Sequence, residues 1–297
     1  MILPNFIIIG AAKSGTTALY HYLKQHPQIY LSPIKETEFF AFEGDELNFK
    51  GPGDLPRATI TNFVDYQAQF QSVVNEVAIG EASPVYIYSS KAPERIKNYL
   101  PDVKLIAILR EPIARAYSQY LMFIRDQREP LRDFAQAIEE EKNRREQGWA
   151  WGWRYLELGF YYTQLKRYFD IFNSEQIRVY LYDDLQDNPT RVIKDICTFL
   201  NVDTKFSPDM SFKPNISGVP QNKLLHSFLR NPNVFKDLLK PFLSAKLRKR
   251  LRLNLQNSNL SKPELKPEVK EQLLPIFRED ILQLQDLIQR DLSPWLN

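Results

Sequence analysis

A lysine set inside a loop of small residues is the most chemically informative feature of this sequence. In FIIIGAAKSGTTALYHYL, residues 6–9 form a short apolar run suited to a strand buried on both faces. Residues 10–15 form a Gly-bounded loop around Lys13, and Thr16 and Thr17 open a segment whose Leu19, Tyr20 and Leu23 repeat at helical spacing. Glycines let the backbone curl until several N–H groups converge, and a helix N-terminus adds partial positive charge. The two threonine hydroxyls stand where they can cap the helix and reach an anion. The stretch predicts a phosphate site of the nucleotide type.

The kind of phosphate chemistry depends on where the charges fall. In the loop G-x-x-x-x-G-K-[ST] of nucleoside triphosphatases, the lysine directly follows the second glycine. Here Thr16 holds that position and the lysine lies inside the loop. Those enzymes also need a carboxylate at a neighbouring strand end to hold Mg²⁺. The strongest neighbouring apolar run, residues 103–109 (VKLIAIL), instead leads into Arg110. A second anion contact is expected where a triphosphatase has its metal, and no metal ligand set is expected. An ATP- and Mg²⁺-dependent kinase or NTPase stays open as an alternative, as does a non-catalytic nucleotide-binding module.

The elements that must position these residues follow from periodicity. Strands are predicted at 6–9, 29–31, 77–81, 103–109 and 177–182. Helices are predicted from Thr16, over 62–72, near 93–100, over 112–125 with Pro112 in the first turn, and over 133–147 as one highly charged helix. Further helices are expected over 161–172, 189–200 and 267–290, with only loops and helices beyond 203. Residues 44–61 are rich in Gly, Pro and Asp and read as a surface loop. Strands alternating with helices predict an α/β fold: a P-loop-type, doubly wound parallel sheet flanked by helices, with a helical C-terminal part. The 297 residues are expected to form a single domain, with the core over about 5–200 and the loop-and-helix part over about 203–297.

Composition excludes several classes. The net charge of +3 is too small to argue for nucleic acid. One cysteine, Cys197, rules out a disulfide framework and sits where a buried small hydrophobe is expected. Three histidines show no metal-ligand spacing. No apolar run approaches transmembrane length, so a soluble, cytoplasmic protein is expected.

The residues match a known family. AAKSGTTAL resembles the 5′-phosphosulfate loop of sulfotransferases that use 3′-phosphoadenosine 5′-phosphosulfate (PAPS). LREPIARAYSQY, residues 109–120, is similar to their second signature, R-x-P-x-x-R-x-x-S-x-Y, which grips the 3′-phosphate. PIKETEFF resembles the K-E-x-x-F-F segment of heparan-type members, and GFYYTQLKRYF resembles their G-x-Y-x-x-x-L stretch. The resemblance spans about residues 5–200. It implies that Lys13, Ser14, Gly15, Thr16 and Thr17 bind the 5′-phosphosulfate, and that Arg110 and Ser118 bind the 3′-phosphate. It also implies Glu36 as the general base and Lys13 as the group that stabilises the departing phosphate. The later phosphate loop of the family is matched only loosely by residues 213–224, with Ser217, Gly218 and Lys223 as candidates. Heparan-type members often have a lysine near the strand end where this chain has Glu81 and Ala82, so acceptor recognition is expected to differ. Golgi relatives carry a membrane anchor and usually a disulfide; a bacterial-type, soluble enzyme is implied instead.

The remaining candidates have a bland reading beside the sharp one. Arg110 is either an anion contact or an ion-pair partner of Glu111 or Glu81. His226 is either a second acid/base group on the acceptor side or an ordinary helix histidine. Trp149, Trp151 and Trp153 alternate as in a strand or extended lid, and either stack on a ligand or pack. The basic, leucine-rich run 238–255 offers peripheral membrane contact, or packs its leucines on the core. The expected acceptor carries a hydroxyl or amine: a sugar, a glycolipid, a small metabolite or a carrier-bound acyl chain.

Overall fold

A computed structural model describes residues 2–54, 59–211, 218–220, 260–261 and 263–297. Five strands form the central sheet: β1 (Phe6–Gly10), β2 (Ile29–Leu31), β3 (Ala78–Ala82), β4 (Lys104–Leu109) and β5 (Ile177–Leu181). Their spatial order is β2-β3-β1-β4-β5, and every pairing is parallel. Phe6 lies opposite Gly80 on one side and Lys104 on the other. The inner strands β1 and β4 are covered on both faces, which is why they read as unbroken apolar runs.

The first helices are α1 (Thr16–Leu23), α2 (Phe39–Phe42), α3 (Phe63–Ala68), α4 (Ala92–Tyr99) and α5 (Pro112–Arg125). They are followed by α6 (Phe134–Glu139), α7 (Glu141–Glu146), α8 (Tyr161–Phe169), α9 (Tyr182–Asp187), α10 (Pro189–Leu200) and α11 (Pro267–Ile288). Successive side chains of a strand point to opposite faces, so each inner strand feeds two cores. Ile7, Ile9, Leu105 and Leu109 pack with Ile96 of α4, Ile113 of α5, Leu165 of α8 and Phe277 of α11. Phe6, Ile8, Ile106 and Ile108 pack with Leu19 of α1 and Ile193, Ile196 and Cys197 of α10. Helix α11 also caps α8: the Asp280 carboxylate accepts from the N–H groups of Tyr162 (3.0 Å) and Thr163 (3.3 Å).

Four local expectations change. The charged stretch 133–147 is two helices meeting at Glu140, with Arg144 turned inward to hold the buried Glu129 carboxylate through two bonds of 2.8 and 2.7 Å. The fifth strand ends at Leu181, because Asp184 accepts from the Leu181 N–H and starts α9 at Tyr182. The Trp-rich stretch is a 3₁₀ turn over Trp151–Trp153. Beyond residue 203 there is a short antiparallel pair, β6 (Val219–Pro220) with β7 (Leu260–Ser261), as well as loops and helix. Among the described residues no helix is long and apolar enough to cross a membrane.

Because β1 lies between β3 and β4, the chain leaves it to one side and later crosses to the other. Parallel sheets open a crevice at the carboxyl ends of their strands at such a point. The loops after β1, β4 and β5 all end there.

Candidate active site

That crevice is a cleft of about 760 Å³, lined by Lys13, Gly15, Thr16, Thr17, Arg110 and Ser118, with Glu36 also facing it. The loop after β1 is held to β4 by the Ala11 N–H, which donates to the Ile108 carbonyl at 2.7 Å. Gly15 caps α1 at φ 97°, where a side chain is strained, and an added Cβ would stand 3.0 Å from Leu185. Gly10 admits none either: its Cβ would lie 2.4 Å from Ile87. The Lys13 ammonium sits 3.3 Å from the Met122 sulfur on α5. Burial first, then the Arg125 and Arg110 guanidinium groups, pull it down to about 8, while Asp126 and Glu36 act the other way.

Arg110 leaves the end of β4 beside this loop. It donates to the Lys13 carbonyl at 3.3 Å, and its guanidinium lies over the Tyr182 ring at 4.6 Å. Neither proposed ion-pair partner is spent on it. Glu111 caps α5, accepting from Ile113 (2.9 Å) and Ala114 (2.6 Å) N–H groups. Glu81 is wholly buried beneath four hydroxyls. Ser118 lies two turns along α5, on the cleft side.

The Glu81 cluster controls where Glu36 stands. Thr37 (2.8 Å) and Ser83 (2.7 Å) donate to one carboxylate oxygen, and Tyr66 (3.0 Å) and Tyr86 (2.8 Å) to the other. Burial raises the Glu81 carboxyl above the usual range, and the four hydroxyls oppose that rise. The hydroxyls in turn receive backbone donors: Glu38 N–H to Ser83 at 3.1 Å and Phe40 N–H to Tyr86 at 3.3 Å. The Glu36 N–H donates to the Ala82 carbonyl at 2.9 Å. Glu36 and Glu38 both have positive φ, 68° and 58°, unfavourable for residues with a Cβ and held by this network. The Glu36 carboxylate pairs with Lys35 at the cleft edge.

The far end of the cleft is walled by two loops stapled together. Asp54 accepts from the Ala150 N–H (2.9 Å) and the Trp153 indole (2.8 Å), and pairs with Arg128. Arg128 also donates to the Pro52 carbonyl at 2.9 Å and lies over the Phe123 ring at 4.4 Å. The Gly/Pro/Asp-rich loop is therefore a cleft wall. Of the three alternating tryptophans, Trp153 is buried, Trp149 packs edge-on against it at 4.8 Å, and only Trp151 lines the cleft.

The family profile described as "Sulfotransferase family" matches residues 4–207. The chain belongs to the sulfotransferase family. Over its full length it is 33% identical to a sulfotransferase of Alicyclobacillus acidocaldarius of known crystal structure, with a TM-score of 0.80 and complete coverage of both chains. A membrane-associated sulfotransferase, kil1 of Dictyostelium discoideum, is 36% identical over 150 residues, 48% of this chain and 28% of that protein. The human bifunctional heparan sulfate N-deacetylase/N-sulfotransferase 3 is 29% identical over 206 residues, 67% of this chain and 22% of that protein. This sulfotransferase chain thus spans about a quarter of the length of those curated relatives.

Within the sulfotransferase fold, Lys13, Gly15, Thr16, Thr17, Glu36, Arg110 and Ser118 meet at one cleft. The Ser14 hydroxyl is buried beneath the loop beside Tyr161, away from the cleft. Gly218 is buried next to β6 and does not line the cleft. Ser217, Lys223, His226 and the basic run 238–255 lie outside the described residues. Sequence reasoning missed Tyr182, Met122, Glu38 and the Asp54–Arg128 pair. Tyr182 alone had a local signal, since it begins a helix directly after a strand end.

Proposed function

We propose that this sulfotransferase moves the sulfuryl group of PAPS to a hydroxyl acceptor. One observation carries the reading: cationic groups at the ends of two adjacent strands, Lys13 and Arg110, share a cleft with the carboxylate of Glu36. The donor set suits a ligand with two separate anionic groups. Lys13, Gly15, Thr16 and Thr17 would hold the 5′-phosphosulfate at the helix N-terminus, and Arg110 with Ser118 the 3′-phosphate. The acids beside the ends of β3 and β4 that could have served Mg²⁺ are otherwise engaged, Glu111 as a helix cap and Glu81 under its hydroxyls. That weighs against ATP-dependent phosphoryl transfer.

In the proposed step Glu36 accepts the proton of the acceptor hydroxyl as that oxygen bonds to sulfur. The bridging sulfur–oxygen bond breaks in line, and its electron pair leaves on the phosphate of 3′-phosphoadenosine 5′-phosphate (PAP). Lys13 neutralises the charge that develops there. The heparan sulfate named for one relative supports a sugar in the acceptor, though not that polymer's charge.

Calorimetric titration with PAP, then with ATP with and without Mg²⁺, tests the reading. Tight PAP binding without metal and weak ATP binding are expected. ATP binding that requires Mg²⁺, with no response to PAP, would overturn it.

A further inference from the structure

The end of the cleft away from Arg110 carries its own chemical signature. Three acidic residues line it, Glu36, Glu38 and Asp54. The cations beside them are already committed: Lys35 to Glu36, and Arg128 to Asp54 and the Pro52 carbonyl. Glu38 is buried and accepts from the Thr59 hydroxyl at 3.1 Å. Lys35 and Arg128 offset two of the three acids, and a further cation nearby, Lys13, is the one assigned to the donor phosphate. Among the described residues, an anionic chain entering this end would meet carboxylates whose neighbouring cations are already paired.

Apolar side chains line this end as well, interleaved with Asn48, Thr59 and Gln119. Leu47 and Phe49 come from one stapled loop, Trp151 from the other, and Met122 and Phe123 from α5. Trp151 and Phe49 are half-buried and line the cleft. Sugars and hydrocarbon chains lie against such rings through their C–H surfaces, whereas sulfate and carboxylate groups do not.

We propose that the acceptor is an uncharged alcohol with an apolar face, its hydroxyl directed at Glu36 and its flat side on Trp151 and Phe49, rather than a polyanionic polysaccharide. This deepens the sulfotransfer reading and rests on it. The same stapled wall that recruits the acceptor excludes the polyanions bound by cation-lined surfaces.

Two ligands separate the possibilities on the PAP-loaded protein: an alkyl glucoside below its micellar concentration, and a heparosan oligosaccharide rich in glucuronate. Calorimetry or saturation-transfer NMR is expected to show the glucoside binding, with little dependence on salt, and the oligosaccharide not binding. Trp151→Ala is expected to weaken the glucoside about tenfold, a loss within the usual range for one aromatic contact, and to leave PAP affinity unchanged. Equal or tighter binding of the oligosaccharide overturns the proposal. So does a protein that binds neither ligand, or a glucoside that binds Trp151→Ala as well as the parent. Failure of PAP itself to bind would be seen first, in its own titration, and would strike the donor reading instead.

Discussion

The Thr37 hydroxyl donates to the Glu81 carboxylate at 2.8 Å, with both side chains fully buried. Glu36, the proposed base, is the residue immediately before Thr37. A carboxylate with no access to the cleft thereby fixes the backbone of one that has it.

Glu81→Gln tests that relationship. An amide offers one acceptor oxygen in place of two, so hydroxyls go unsatisfied at about 1–3 kcal/mol each, and melting temperature falls. A lower kcat with unchanged PAP affinity is expected, since the donor end of the cleft is held by other elements. In a Glu36→Gln background the same change should lower kcat no further. A full additional loss there would mean that Glu81 acts on turnover by another route.

Lys13→Met removes the ammonium between the phosphate loop and Met122, and turnover should fall about 10²–10³-fold, as for loss of one preorganised charge-stabilising donor. Because burial depresses this ammonium to about 8, its charge disfavours the folded state, and the variant should melt higher than the parent at neutral pH. A lower melting temperature would show that the ammonium is structural.

The same depressed value sets a pH limb. Lys13 is charged below about pH 8 and neutral above it, so donor kcat/KM should fall as pH rises through that value. A bound anion favours the charged form, and the limb in kcat should lie higher. Lys13→Arg should remove the limb from this range while retaining some activity.

Arg110→Ala should weaken PAP binding more than AMP binding, because only PAP carries a 3′-phosphate. Charge-assisted hydrogen bonds are worth about 1.5–3 kcal/mol, so the difference should be tenfold or more. Equal losses for the two nucleotides would place Arg110 away from that group.

Asp54→Asn should loosen the wall without touching the donor end. Its carboxylate joins residues 128, 150 and 153 to the loop around Pro52, so limited proteolysis should cut residues 44–61 faster while PAP affinity holds. Unchanged proteolysis would show that Trp153 packing alone holds the loops.

The sheet and the Gly-bounded loop after β1 were legible because their signals are local. A strand buried on both faces must be continuously apolar, and a phosphate loop must place glycines and a helix start next to each other, so β1, β4, Gly15 and Lys13 could be read in order. Pro112 likewise marked a helix start. The charged stretch before the tryptophans was not legible as two helices. Its break follows from Arg144 reaching Glu129, fifteen residues away, and from Glu141 accepting the N–H groups of Leu156 and Glu157.

By itself the sequence determined the α/β fold, the Gly-bounded loop after β1, and the arginine that follows β4, since each depends on neighbours a few residues apart. Only the tertiary structure decided what Glu81 and Asp54 do, which tryptophan meets the cleft, and that Tyr182 supports Arg110. Those assignments depend on side chains brought together across dozens of residues by the crossing of the chain at β1. Buried carboxylates and solvated ones look alike in a sequence; burial and the donors around them distinguish them only once the chain has folded.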